Sequence, residues 1–282
     1  MGGFFDAVWN NAFMQYALLT AVLASIAAGI VGTYVVARRI TYMAGGIAHS
    51  VLGGMGAAYY LHQVHHWTWL RPLYGAVIAA VIAALVIGIV SLRAREREDT
   101  VIGGVWAVGM AIGIIFISQT PGYNQDLMSY LFGNILMVAE SDLWLIAALD
   151  ALVLVIGLLF YNQIMAVCFD EEFARVRGVN VAFYFLILLL LTALTVVILV
   201  TVVGIVMVIA LLTIPAATAG RVSQILWKIM ALATLTSAVI VIAGLAVSYG
   251  PNLPAGATIV LLFAIFYGLV VFVSWLRRRV RA

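Results

Sequence analysis

The chain has 282 residues, 66% of them hydrophobic and only 9% charged, with a formal net charge of +3 and a mean hydropathy of +1.19. No water-soluble core of this size needs so much apolar sequence, so the composition excludes a soluble globular domain and predicts an all-α, polytopic integral membrane protein. The basic residues fall in short loops rather than along one face, which argues against nucleic-acid binding, and the single cysteine, Cys168, leaves no disulfide framework and no thiolate metal cluster.

Residues Met1 to Asn11 lack a basic n-region and carry Asp6, unlike a cleaved signal peptide. Beyond them, measured against the roughly 20 apolar residues that cross a bilayer, hydropathy predicts nine spans in a single transmembrane domain, 1–282. They are Phe13–Val36, Tyr42–Leu61, Leu70–Leu92, Val101–Ile117, Leu143–Tyr161, Phe183–Val203, Ile205–Ala219, Ile225–Ser248 and Ala255–Leu276. The sixth and seventh form one apolar run, divided near Gly204 because an unbroken helix of that length would overshoot any bilayer. Residues 162–182 are expected as a loop with a short helix in it, between the fifth and sixth spans.

With alternating spans, Arg38-Arg39, Arg93 with Arg95 and Arg97, Arg175 with Arg177, Arg221 with Lys228, and the tail Arg277-Arg278-Arg279 with Arg281 share one side, and only Arg71 falls opposite. The positive-inside rule then places the N-terminus outside and both the 162–182 loop and the C-terminus in the cytoplasm. Asp126, Glu140 and Asp142 fall outside, where acids carry little topological weight. Tyr59, Tyr60, Trp67 and Trp69 fit an aromatic belt at the outer interface.

The second span carries His49. An imidazole there is unfavourable unless it faces the bundle interior or water, and neutral imidazole suits borderline first-row divalent metals, which makes His49 a candidate transient metal ligand. A histidine hydrogen-bonded across a packed helix pair is the alternative. Gly45, Gly53 and Ala57 share its stripe, with Gly46, Ser50, Gly54 and Ala58 beside it; such a stripe permits close backbone packing and also leaves room for an ion path. At the outer end, His62, His65 and His66 would share one face of a helix, where they either collect divalent cations or merely populate the interface. Asp150, near the middle of the fifth span, is a candidate metal ligand or proton relay, with a protonated, hydrogen-bonded carboxyl as the alternative reading. Pro215, near Met207 and Thr213 in the seventh span, either kinks a gate or serves ordinary packing.

In the cytoplasmic loop, Asp170-Glu171-Glu172-Phe173-Ala174-Arg175-Val176-Arg177-Gly178 is a charged island in an oily chain, with acid before base on a short helix. It has the character of a docking surface for a soluble partner. Lys228 is the only lysine and lies between Trp227 and Ile229, so the chain has no phosphate loop ending in Lys-Ser/Thr. Any ATP that drives it is hydrolysed by another subunit.

Five segments taken in order, Arg38-Arg39-Ile40-Thr41-Tyr42 leading to Ala48-His49-Ser50, Leu131-Phe132-Gly133-Asn134-Ile135-Leu136, Phe169 to Arg175, Leu211 to Ala219 and Leu253 to Val260, resemble the membrane permease subunits of ABC importers for manganese, zinc and related divalent metals. The resemblance runs nearly end to end. It implies a helical bundle like that of the vitamin importers, in a prokaryotic cytoplasmic (inner) membrane, without covalent chemistry of its own. It implies a homodimer on two copies of a cytoplasmic ABC ATPase, supplied by an extracytoplasmic metal-binding protein, with a transported divalent metal and no tightly bound cofactor. The segment matching Asp170 to Gly178 would be the coupling helix that enters a groove on the ATPase. Many relatives place a carboxylate four residues before the histidine; this chain has Gly45 there, so only His49 carries over. Two alternatives remain: a proton-coupled secondary transporter using Asp150, and an ABC permease for a larger ligand such as a siderophore or vitamin.

Overall fold

The computed structural model of the chain describes every residue except 1–5, 7, 94–96, 122–137, 139, 206–207, 252 and 282. The segment Leu131–Leu136, with Arg95, Asp126 and Met207, lies outside the described residues. Within them the chain is helical and contains no strand. In chain order the helices are α1 (Ala12–Arg38), α2 (Thr41–Val64), α3 (Pro72–Arg93), α4 (Glu98–Ser118), α5 (Glu140–Leu159), α6 (Tyr161–Phe169), α7 (Glu171–Val176), α8 (Val181–Val203), α9 (Val208–Val222), α10 (Leu226–Tyr249) and α11 (Ala255–Arg281).

Among the described residues, six helices are long and apolar enough to cross a membrane, or seven if α5 and α6, bent by 72°, form one span. By length and apolarity this is fewer than the nine spans expected from hydropathy, although α2, which starts beside the end of α1 and reaches the start of α3, also runs the length of the bundle. Two helices account for the difference. At 24 residues α2 is long enough, but its glycines, serine and histidines dilute its apolarity, and the bundle rather than lipid covers most of it. With 15 residues, α9 reaches only about 22 Å, short of the hydrocarbon thickness of about 30 Å. The division near Gly204 stands: α8 ends at Val203, and Gly204, at φ 77°, donates its N–H to the carbonyl of Val200 at 3.0 Å.

Helix α1 occupies the centre, against α5, α8, α9 and α10, while α2 lies between α3 and α4. Its buried face explains this position: Ala17, Ala21, Ala24, Ala27 and Ala28 are all fully buried, and small side chains let neighbouring helices approach closely where lipid supplies no hydrophobic drive to association. Hydroxyls inside the spans bond to their own helix. Thr20 donates to the carbonyl of Tyr16 at 2.8 Å, Ser25 to Ala21 at 2.7 Å and Thr33 to Gly29 at 2.6 Å, so no donor is left facing hydrocarbon at these positions. Longer ties join distant parts of the chain, and the Tyr34 hydroxyl donates to the carbonyl of Gly157 at 2.9 Å, fixing α1 to the end of α5.

Residues 162–182, expected as a connection carrying one short helix, contain two helical pieces. After the bend at Phe160 the chain continues as α6, which buries Ile164, Val167 and Cys168, and then turns at Asp170 into the six-residue α7. The ends of α1 and α3 and the starts of α2, α4 and α8 meet α7 at one end of the bundle, around a polar pocket of about 460 Å³.

Candidate functional site

His49 lies about a third of the way along α2, half-buried. Its ring stacks flat on Trp106 of α4, with centroids 4.1 Å apart and planes 5° from parallel, and the indole N–H of Trp106 is directed at the sulfur of Met110 at 2.9 Å. The surrounding small residues pack backbones together. A Cβ on Gly53 would stand 2.7 Å from the carbonyl oxygen of Gly109 in α4, and one on Gly54 only 2.1 Å from that of Gly75 in α3. At these two positions any side chain larger than hydrogen would separate α2 from its neighbours.

Asp150 is 3% exposed. It sits in α5 against the backbone of Ala27 in α1, and its Oδ1 has no hydrogen-bond partner. His49 and Asp150 therefore occupy different helix interfaces and are not brought together. Among the described residues no group of three or more His, Cys, Asp or Glu is arranged to hold a metal. The three outer histidines do not share a helix face, because α2 ends at Val64. His62 Nδ1 lies 3.2 Å from the carbonyl oxygen of Trp67, His65 packs edge-on against Tyr60, and His66 has φ 56°. Trp67 and Trp69 stack nearby with centroids 6.0 Å apart, both exposed.

The charged island is the most fully built feature. A six-residue helix is far too short to persist alone, and α7 is held at both ends. Asp170 takes an extended conformation and its carboxylate accepts the N–H of Phe173 at 2.9 Å, as an N-cap should. At the other end Gly178 has φ 78°, where glycine avoids the strain that a side chain brings, and the N–H groups of Gly178 and Val179 bond to the carbonyls of Arg175 and Ala174 at 2.9 and 3.0 Å. Ala174 is fully buried and seats the helix on the bundle.

The outward face of α7 is mixed. Glu172, Arg175 and Arg177 are exposed, and so are Phe169, Phe173 at 52% and Val176 at 87%. Glu171 is turned inward. Its carboxylate forms an ion pair with the guanidinium of Arg38 at the end of α1, and its other oxygen lies 4.0 Å from Arg175. Three participants had no such role in the sequence: Arg38, a topological charge and part of a family segment; Val176, an apolar residue inside a charged run; and Trp106, the partner of His49. A usable signal existed for Trp106, since tryptophan concentrates at the membrane interfaces and this one lies about 12 Å into α4.

The family model described as the ABC 3 transport family matches residues 10–274, which take in nearly all of the described helices. The chain belongs to the ABC 3 transport family. Members are permease subunits rather than enzymes. Relatives cover the chain almost completely: an uncharacterized membrane protein of Synechocystis sp. is 42% identical over 255 residues, 90% of this chain and 88% of its own length. The manganese transport system membrane protein MntC of Halalkalibacterium halodurans is 35% identical over 271 residues, 96% of this chain and 90% of its own. Among solved structures, PsaBC from Streptococcus pneumoniae in complex with Fab matches with a TM-score of 0.85 and 32% identity, covering 95% of this chain and 94% of that one. As a member of the ABC 3 transport family the protein is thus a multi-pass, all-helical membrane permease, as its composition and its helical bundle require.

Proposed function

We propose that the chain is the permease subunit of an ATP-driven importer of divalent transition metals, with manganese the first cargo to test and zinc and iron as the alternatives. It works by alternating access as one half of a homodimer, with two copies of a separate cytoplasmic ATPase below and a metal-binding protein delivering from the other side. The observation that carries the reading is α7, a helix stabilised at both ends and seated by Ala174, yet exposing Phe173 and Val176 beside Glu172 and Arg175. Apolar side chains held out at a bundle end mark a surface for a partner. The manganese systems named among the relatives, MntC and the import permease ScaB of Streptococcus parasanguinis, support the choice of cargo.

Arg38, Arg39 and Arg175 line the pocket beside α7, which supports a cytoplasmic location for this end, with the N-terminus outside and the C-terminus inside the prokaryotic inner membrane. His49 is the ligand proposed on the cargo path, completed by backbone or water oxygens. Asp150 and the outer histidines His62, His65 and His66 are secondary candidates. The cargo is passed on rather than retained, so no resident cofactor enters the mechanism.

The test is reconstitution with a cognate ATPase subunit in proteoliposomes. ATP-dependent uptake of Mn²⁺ is expected, and the double variant Phe173→Asp/Val176→Asp should lose ATPase co-purification while the permease itself stays monodisperse. Uptake driven by a proton gradient without ATP would replace this reading with the secondary transporter.

A further inference from the structure

We propose that Arg38 and Glu171 form an ionic latch that positions the coupling helix and carries its displacement into α2, the helix that bears His49. The inference rests on the functional reading above, in which α7 meets the ATPase.

The last residue of α1 is Arg38 and the first of α7 is Glu171. Their side chains are 25% and 32% exposed, so the pair is partly withdrawn from water, where charges attract more strongly than at an open surface. Among the described residues this is the ion pair that joins α7 to a long helix; the other contact of Glu171, with Arg175, is internal to α7. The guanidinium also lies over the ring of Phe185 near the start of α8, 5.7 Å from its centroid. One arginine therefore touches the coupling helix and the span that follows it.

The connection onward is short and closed. Arg39 takes φ 63°, its N–H bonds to the carbonyl of Val36 at 3.2 Å, and the N–H of Ile40 bonds to that of Val35 at 3.0 Å. Only Arg39 and Ile40 separate α1 from α2. An elbow this tight, with both amides already bonded, leaves little slack between the end of α1 and the start of α2. From Thr41 to His49 is about 12 Å of helix rise. A push on α7 reaches His49 through one ion pair, one two-residue elbow and two turns of helix. Rigid elements joined through charged contacts are the physical means by which one site biases another.

The experiment uses the assembled transporter in proteoliposomes and measures Mn²⁺ taken up per ATP hydrolysed, together with ATPase co-purification. In Arg38→Gln and in Glu171→Gln the ratio should fall about tenfold, the scale of an ordinary coupling between sites, with the ATPase still bound. Arg38→Lys, which keeps the charge beside Glu171, should remain close to wild type. The double Gln variant should fall no further than either single, because both remove the same interaction. The proposal is overturned if the single variants keep the wild-type ratio, if Lys and Gln at 38 are equally impaired, if the double variant is additive, or if Glu171→Gln sheds the ATPase, which would make Glu171 a docking contact. A wild-type protein that binds no ATPase sinks the functional reading and the latch together; an active wild type with an indifferent Arg38 sinks the latch alone.

Discussion

Replacing Gly54 by alanine tests whether the small-residue stripe of α2 serves helix packing. The added Cβ would lie 2.1 Å from the carbonyl oxygen of Gly75 and 2.5 Å from the Cβ of Ala79, and the site is reciprocal, since a Cβ on Gly75 would lie 2.2 Å from the carbonyl oxygen of Gly54. Two backbones leave no flexible side chain to give way, so α2 and α3 must part by roughly 1 Å to restore van der Waals distance. Overpacking of this kind costs about 1–3 kcal/mol. Gly104 on α4 is the control: a Cβ there meets nothing within 4 Å, and alanine in place of glycine in an open helix position gains about 1 kcal/mol. The two substitutions are chemically identical and opposite in predicted sign. Thermal unfolding of the purified variants in one detergent should give a lower midpoint for Gly54→Ala and an equal or higher one for Gly104→Ala. Mn²⁺ uptake should fall only in the first, where α2 and His49 are displaced. A Gly54→Ala protein that melts with or above Gly104→Ala would refute the reasoning.

Trp106→Ala removes the face on which His49 rests; the lost stacking is worth about 0.5–1.5 kcal/mol, and the apparent KM for metal uptake should rise by about two- to tenfold at unchanged ATPase binding. Asp170→Ala deletes the cap of α7, worth about 1 kcal/mol, and should weaken ATPase association by about fivefold in a titration of the solubilised permease with the ATPase subunit. Asp150→Asn should lower Mn²⁺ uptake at normal expression; full uptake would remove this carboxylate from the ion path.

Hydropathy alone finds α3, α4, α10 and α11, which the bundle leaves largely open, and also α1 and α8, which it mostly covers, because a span needs an unbroken apolar run in either place. It misjudges α9, whose apolar sequence is real but whose helix, beginning at Val208, is short. It also misses α6, since a bend of 72° between two apolar helices leaves no mark in composition when neither proline nor glycine stands at the break. Side-chain partnerships were the least accessible. The capping role of Asp170 is local and readable three residues away, whereas the pairing of Glu171 with Arg38 joins positions far apart in the chain, and nothing in either neighbourhood distinguishes it from an ordinary surface charge. The expectation that His62, His65 and His66 share a face failed for a local reason, the end of α2 at Val64.

The modest apolarity of α2 also constrains how the protein is made. A segment diluted by glycine, serine and histidine partitions weakly into lipid when it leaves the ribosome alone, and its insertion has to wait for the strongly apolar α3. Gly54 and Gly75, each meeting the other's carbonyl, are the contact that lets the two enter as a hairpin. A substitution that forces them apart would therefore also lower the yield of inserted protein, in addition to the lower melting midpoint expected of Gly54→Ala.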